Sequence, residues 1–132
     1  MPKNREQASA LLKKSSEDYD AAVYLATGPG ISFWTVGFHA QQSVEKALKA
    51  VLMLEGVPYP FTHDITDLIK ILRRGGMSLP PDATDLSYLT PFAALFRYED
   101  EQFDNIVSVE APQLLDWARS TLVWAQSHFD RG

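Results

Sequence analysis

The spacing of apolar residues follows the period of an α-helix along most of the chain. In a first segment, about Lys3 to Thr27, apolar side chains recur at intervals of three, four and seven residues. Gly28-Pro29-Gly30 ends this segment. A second segment, about Phe33 to Leu54, ends at Glu55-Gly56 and two nearby prolines. It carries one continuous apolar stripe on a helical wheel, formed by Val36, Ala40, Val44, Ala47, Val51 and Leu54. The pattern predicts two long amphipathic helices.

Shorter helical stretches are predicted in the second half of the chain. One begins at Thr62 or Asp64, either of which can cap a helix, and ends at Gly75-Gly76. Another runs over about 80–89, and Thr90-Pro91 resembles a cap that restarts a short helix to about 98. The last begins near 108–111 and reaches 128 or 129. Because strand patterns are nearly absent, we expect an all-α fold, an up-and-down bundle of four to five helices in one domain spanning residues 1–132.

Composition and charge narrow the classes of function. The chain of 132 residues contains no cysteine, which excludes a disulfide framework, a thiolate zinc site and a cysteine nucleophile. Its net charge of −5 disfavours a broad nucleic-acid surface, because phosphate binding needs a basic footprint, but a local basic patch stays possible. The charged N-terminus lacks the apolar run of a signal peptide, and no apolar stretch is long enough to span a bilayer. We therefore expect a cytoplasmic protein without a membrane segment.

The second predicted helix has an unusual polar face. Gln42, Lys46 and Lys49 fall within about 60° of one another, opposite the apolar stripe, and His39 extends the set by one turn. Such a face could form a polar groove that holds phosphate or RNA through the two lysines. It could equally be an ordinary solvated helix face with a few contacts between residues four apart.

Four large apolar residues lie outside the predicted core stripes. Phe38 and Met53 are on the mostly polar face of the second helix, and Trp117 and Trp124 are at the edge of the stripe of the last helix. They indicate a second buried surface, most simply the interface of a two-fold homodimer. The alternative is that other helices of the same small bundle cover them.

Other chemistry-bearing residues give weaker signals. None of the three histidines has a metal-binding partner four residues away, so we predict no metal site and no cofactor. The carboxylates over 99–104 could bind magnesium or act in acid–base chemistry, although an acidic run in a loop is more often simply solvated. Arg97 beside Tyr98 could present a planar phosphate-binding fork, or pair with the acids that follow.

Three parts of the chain resemble the HEPN domain family. Residues 38–52, with the sequence Phe-His-Ala-Gln-Gln-Ser-Val-Glu-Lys-Ala-Leu-Lys-Ala-Val-Leu, resemble its second-helix signature. Thr62-His63-Asp64-Ile65 with Leu68 is similar to the helix start that follows, and residues 93–98 are similar to the later arginine-tyrosine element. The resemblance implies an all-α up-and-down bundle that is usually a homodimer. It also implies a place in prokaryotic defence, stress or toxin–antitoxin systems.

The resemblance also bears on activity. Many family members are metal-independent RNases that use an arginine followed, after four to six residues, by a histidine. Others are non-catalytic partners that bind RNA or nucleotides, and small stand-alone members are often encoded beside a minimal nucleotidyltransferase. After Arg97 the histidine positions hold Gln102, Phe103 and Asp104. We therefore predict a non-catalytic HEPN protein that partners a nucleotidyltransferase and binds nucleotide or RNA phosphate. Its predicted ligand site combines the helical face of Gln42, Lys46 and Lys49 with His63 and with Arg97 and Tyr98, which the resemblance adds.

Two alternatives stay open. The first is an atypical RNase, in which His63 or His39 is recruited in space rather than by its distance from Arg97 in the sequence. The second is a purely structural helical dimer that binds no ligand.

Overall fold

The structure is a computed structural model that describes residues 2–28, 30, 33–93 and 110–131. Its α-helices are α1 (Pro2–Thr27), α2 (Phe33–Leu54), α3 (Ile65–Arg74) and α4 (Ala111–Asp130), and a 3₁₀ helix spans Asp85–Ala93. The residues so described contain no strand. The fold is therefore all-α, as the hydrophobic pattern predicts, and the bounds predicted for α2 are confirmed.

Helix α2 is the centre of the bundle and packs against every other helical element. Val44, Leu48 and Val51 are fully buried, as we expect for its apolar stripe. Helix α1 runs antiparallel to α2, because Ser15 meets Ser43 while Ala8, earlier in α1, packs in a cluster with Ala50, later in α2. The Ser15 hydroxyl donates to the Ser43 carbonyl oxygen at 2.6 Å, so this polar contact is satisfied inside the apolar surroundings.

The start of α3 confirms one of the two predicted caps. Asp64 is the N-cap, and its side chain accepts a hydrogen bond from the backbone N–H of Thr66 at 2.9 Å. Thr62 lies two residues earlier, and its hydroxyl donates to the carboxylate of Asp67 at 3.0 Å. At the other end, Gly76 has a φ of +68°, a backbone conformation that glycine adopts without steric cost.

The segment after α3 differs from the prediction. We expected one helix over 80–89 and a second one restarted by Thr90-Pro91, but the chain forms a single 3₁₀ helix that includes both residues. Thr90 does not cap its own segment. Its hydroxyl accepts a hydrogen bond from the backbone N–H of Ile65 at 3.3 Å and thus helps to cap α3. This contact joins residues far apart in sequence, so the local pattern of 88–91 contains no sign of it.

A close approach fixes the 3₁₀ helix against α2. The Phe92 ring is fully buried over Gly37, so close that a Cβ atom at Gly37 would lie 2.8 Å from the ring Cγ and nearer still to two other ring carbons. Phe33 packs against the same ring edge-on, with centroids 5.6 Å apart. The glycine is therefore required by packing rather than by its backbone conformation.

A chain of polar contacts joins α4 to the loop after α3. Trp124 Nε1 donates to Ser78 Oγ at 3.2 Å, and Ser78 Oγ lies 3.1 Å from His128 Nε2. Burial lowers the pKa of His128, Arg131 acts in the same direction, and Glu55 opposes both. This arrangement fits a neutral imidazole whose Nε2 atom accepts a hydrogen bond from the Ser78 hydroxyl.

Among the residues described, no helix is both long and apolar enough to cross a lipid bilayer.

Candidate functional site

The polar face of α2 is less open than a helical wheel predicts. Each lysine of the predicted ligand site already has a carboxylate partner: Lys46 Nζ contacts Asp18 Oδ2, and Lys49 Nζ lies 2.9 Å from Glu45 Oε2. The two pairs belong to different clusters on neighbouring sides of α2. The positive charge of this face is therefore largely balanced by the chain itself.

The first cluster, the Asp18 cluster, ties α1 to α2 and contains Asp18, His39 and Lys46. The His39 Nδ1 atom lies 3.1 Å from Asp18 Oδ1, and Lys46 contacts the second carboxylate oxygen. The exposed fractions are 15% for the Asp18 side chain, 28% for His39 and 25% for Lys46. Because all three reach solvent in part, a ligand anion could compete with Asp18 for Lys46.

The second cluster, the Glu45 cluster, surrounds a carboxylate whose side chain is only 5% exposed. Gln41 Nε2 donates to Glu45 Oε1 at 3.0 Å, Lys49 Nζ donates to Oε2 at 2.9 Å, and His63 Nδ1 lies 3.1 Å from Oε1. Gln42 Nε2 donates to Gln41 Oε1 at 2.7 Å and so extends the cluster to the α2 surface. Three partners compensate the buried carboxylate, as a buried charge requires.

Tyr59 stands beside this cluster. Lys49 Nζ lies 5.7 Å from the centroid of its ring, within the range of a cation–π contact. Burial raises the pKa of the Tyr59 hydroxyl, and the negative charge of Glu45 raises it further. The phenol therefore stays protonated at neutral pH and can donate a hydrogen bond, but it does not serve as a base there.

His63 is the exposed member of the Glu45 cluster, with 55% of its side chain exposed. Its backbone carbonyl accepts a hydrogen bond from Gln41 Nε2 at 3.2 Å, and Phe61 packs against its ring edge-on. The carboxylate contact at Nδ1 orients the imidazole and leaves the Nε2 atom available to a ligand. An imidazole held in this way can bind a phosphate oxygen or exchange a proton.

The structure thus divides the predicted site. It brings Gln42, Lys49 and His63 together around Glu45, and it places Lys46 in the Asp18 cluster. Arg97 and Tyr98, which the family resemblance adds to the site, lie outside the described residues, as does the acidic run over 99–104.

The predicted site does not include three residues of these clusters, which are Gln41, Glu45 and Asp18. Gln41, Glu45 and Lys49 follow one another at intervals of four on α2, so their contacts agree with a known helical spacing. Asp18 gave no comparable signal, because its pairing with Lys46 depends on how α1 is rotated against α2.

Residues of the same chain cover the two tryptophans that the sequence places at the predicted homodimer interface. Trp117 and Trp124 are buried within one chain, with 4% and 9% exposure. Tyr88 of the 3₁₀ helix stacks on Trp117, and the loop residue Ser78 accepts the indole N–H of Trp124. Elements of the same chain therefore cover both rings, and nothing in their burial calls for a second chain. Phe38 and Met53 are only half-buried, so the homodimer interface at these residues stays a prediction.

In the part of the chain that the structure describes, no group of three or more histidine or carboxylate side chains is arranged to hold a metal ion.

Comparison with known proteins identifies the family. The model of the HEPN domain matches residues 8–127, which covers α2, α3, the 3₁₀ helix and most of α1 and α4. The chain has no significant match among curated proteins or among solved structures. Because the match extends over nearly the whole helical bundle, the chain belongs to the HEPN domain family.

Proposed function

We propose that this HEPN protein is a non-catalytic, homodimeric partner of a minimal nucleotidyltransferase and binds the phosphate of a nucleotide or RNA. The ligand site comprises Gln42, Lys46, Lys49, His63, Arg97 and Tyr98. The observation that most directly supports it is the Glu45 cluster, which gathers Gln42, Lys49 and the exposed His63 at one place on the surface. These side chains offer an amide, an ammonium and, when His63 is protonated, an imidazolium, all of which can donate to phosphate oxygens.

The absence of the RNase spacing supports a non-catalytic role. Metal-free cleavage of RNA through its 2′-hydroxyl needs a general base and a group that stabilises the developing charge on phosphorus. Arg97 can stabilise this developing charge, but the positions where the family motif has histidine, the general base, hold Gln102, Phe103 and Asp104. The chain therefore keeps a phosphate-binding arginine without the base that normally accompanies it.

The ion pairs on α2 predict weak binding that depends on salt. A phosphate group must compete with Asp18 for Lys46 and with the buried Glu45 for Lys49. The net charge of −5 adds no long-range attraction for an anion. Affinity should fall steeply once the Debye length drops to about 8 Å, because the remaining attraction is local and partly solvated.

Titration of the protein with a mixed RNA pool and with mononucleotides tests this site. Lys46→Ala and Arg97→Ala should each weaken binding without changing the fold. Lys13→Ala is the charge-matched control, because Lys13 is exposed on α1 and belongs to neither cluster. Equal losses in all three variants, or no binding by the parent protein, would contradict the proposal. The second outcome would favour the purely structural dimer.

A second function, the atypical RNase, is favoured by one observation. His63 is exposed and Glu45 contacts its Nδ1 atom, the arrangement that orients a histidine for proton transfer. Incubation of the protein with RNA in EDTA tests for cleavage. His63→Ala should abolish activity of such an enzyme, and Arg97→Ala should abolish it if the arginine stabilises the transition state. Unchanged RNA at high protein concentration is the result that the non-catalytic function predicts.

The partner protein can be tested separately. The gene next to this one should encode a minimal nucleotidyltransferase, and co-expression of the two proteins should yield a complex that survives size-exclusion chromatography. If the two proteins elute separately at micromolar concentration, the partnership is contradicted, whatever the result for phosphate binding.

A further inference from the structure

A cavity of about 200 Å³ lies between α3 and the segment that begins the 3₁₀ helix, and none of its lining residues belongs to the clusters on α2. Lys70 and Arg73 line it from α3, together with Thr66. Their spacing of four and three residues places the three side chains on one face of the helix. Thr84 and Ser87 line the opposite side. Two cations and three hydroxyls thus converge on one space.

These cations differ from the lysines of α2 in their charge balance. Within the described residues, no carboxylate lies at ion-pair distance from Lys70 or Arg73, whereas Lys46 and Lys49 each have such a partner. Both Lys70 and Arg73 are exposed, so they reach an incoming anion without breaking an existing pair. The Ser87 hydroxyl donates to the Thr84 carbonyl at 3.4 Å, a long contact that a ligand oxygen can replace at little cost.

The chemistry of the lining selects a class of ligand. A planar guanidinium, an ammonium and three hydroxyls exceed what the two oxygens of a carboxylate can use, but they suit the three outer oxygens of a phosphate group. The remaining lining side chains, Ile69 and Ala83, are apolar. An apolar surface beside the cations can pack against an organic group, which favours a phosphate ester over the free ion.

We propose that this cavity, the α3 pocket, binds the phosphate group of a small organic phosphate monoester such as a mononucleotide. Arg73 and Lys70 neutralise the phosphate, and the hydroxyls of Thr66, Thr84 and Ser87 hold its oxygens. The site is separate from the one proposed on α2, so each can fail without the other.

Isothermal titration calorimetry with AMP, ribose 5-phosphate, inorganic phosphate and adenosine tests the α3 pocket. AMP and ribose 5-phosphate should bind more tightly than inorganic phosphate, and adenosine should not bind. Lys70→Ala and Arg73→Ala should each weaken AMP binding about tenfold, the usual effect of losing one charge-assisted hydrogen bond.

Arg74→Ala is the matched control. Arg74 is exposed and stands next to Arg73 in the last turn of α3, so both arginines complement the helix dipole, but Arg74 does not line the pocket. Its replacement should change AMP affinity less than twofold.

Several results would overturn the α3 pocket. Two concern the variants: an equal loss of AMP affinity in Arg74→Ala, or undiminished AMP binding in the Lys70→Ala Arg73→Ala double variant. Two concern the parent protein: adenosine that binds as tightly as AMP, or no binding of any phosphate. Binding of a phosphoserine peptide but not of AMP would also contradict it. Loss of AMP binding in Lys46→Ala but not in Lys70→Ala would support the α2 site alone, and the reverse would support the α3 pocket alone.

Discussion

Gly37→Ala should destabilise the protein, although alanine is ordinarily the better residue inside a helix. Gly37 lies within α2, directly beneath the fully buried ring of Phe92. The added methyl carbon would lie less than 3 Å from three carbons of that ring. Phe33 packs against the ring edge-on, so the ring cannot move aside without disturbing a second contact. The substitution therefore has two opposing effects on stability: overpacking destabilises the fold, and the higher helix propensity of alanine stabilises it.

The magnitude follows from these two opposing effects. Replacing glycine by alanine in a helix interior favours folding by about 1 kcal/mol. Forcing an extra carbon into a well-packed core costs about 1–3 kcal/mol, and a rigid ring held on both sides places this site in the upper part of that range. We expect a net loss of about 1–2 kcal/mol, which corresponds to a decrease in Tm of roughly 3–10 °C for a domain of this size.

Urea denaturation followed by circular dichroism measures the effect. Gly75→Ala is the control: Gly75 has an ordinary φ of −79°, and its nearest contact to an added Cβ would be 3.5 Å, so its replacement should be nearly neutral. Phe92→Leu should compensate part of the loss in a double variant, because a smaller side chain relieves the clash, giving a coupling energy of at least about 0.5 kcal/mol. A Gly37→Ala variant as stable as the parent would refute the proposed packing of the 3₁₀ helix on α2.

Three further predictions address the core, the buried histidine and the oligomer. Val44→Asp would place an unpaired charge at a fully buried position, so the variant should lose several kcal/mol and be largely unfolded by circular dichroism. Because burial lowers the pKa of His128 in the folded state, the unfolded chain takes up the proton first. Stability should therefore decrease as the pH falls below about 6.5, and His128→Gln should show a shallower decrease between pH 7.5 and 5.5 in urea titrations. An unchanged slope would contradict this role. The parent should sediment as a dimer at tens of micromolar, and Phe38→Glu should shift it toward the 14.8 kDa monomer, whereas a monomeric parent would contradict the interface at Phe38 and Met53.

The sequence predicts the helices well because their signals are local. The bounds of α2 follow from a continuous apolar stripe that ends at glycine and proline. The start of α3 follows from two candidate caps, Thr62 and Asp64, and the structure shows that Asp64 is the N-cap. The segment over 80–93 was harder, since Thr90 serves another helix and a proline at 91 is compatible with several kinds of turn. A contact made across the fold cannot be inferred from the residues on one side of it.

The contrast between local signals and contacts across the fold also explains why the sequence did not predict what covers the two tryptophans. A helical wheel shows that Trp117 and Trp124 lie at the edge of the α4 stripe, but it does not show what stands opposite them. In the folded chain, Tyr88 and Ser78 come from the segment between α3 and α4, which the wheel of α4 does not include. The wheel therefore shows that an edge of α4 needs to be covered. It does not show whether a second chain or a loop of the same chain covers that edge.

The capacity of this protein to bind an anion depends on how its charged residues are paired. On α2, the spacing of Gln42, Lys46 and Lys49 places three donors on one face, but their capacity to bind an anion depends on Asp18 and Glu45, which hold the two lysines. A ligand at this face gains only the difference between its own attraction and that of a carboxylate already in contact. At α3, the pair Lys70 and Arg73 has no such competitor among the residues described. In a protein with a net charge of −5, the position of the carboxylates therefore decides which cations can bind phosphate, more than the number of lysines and arginines does.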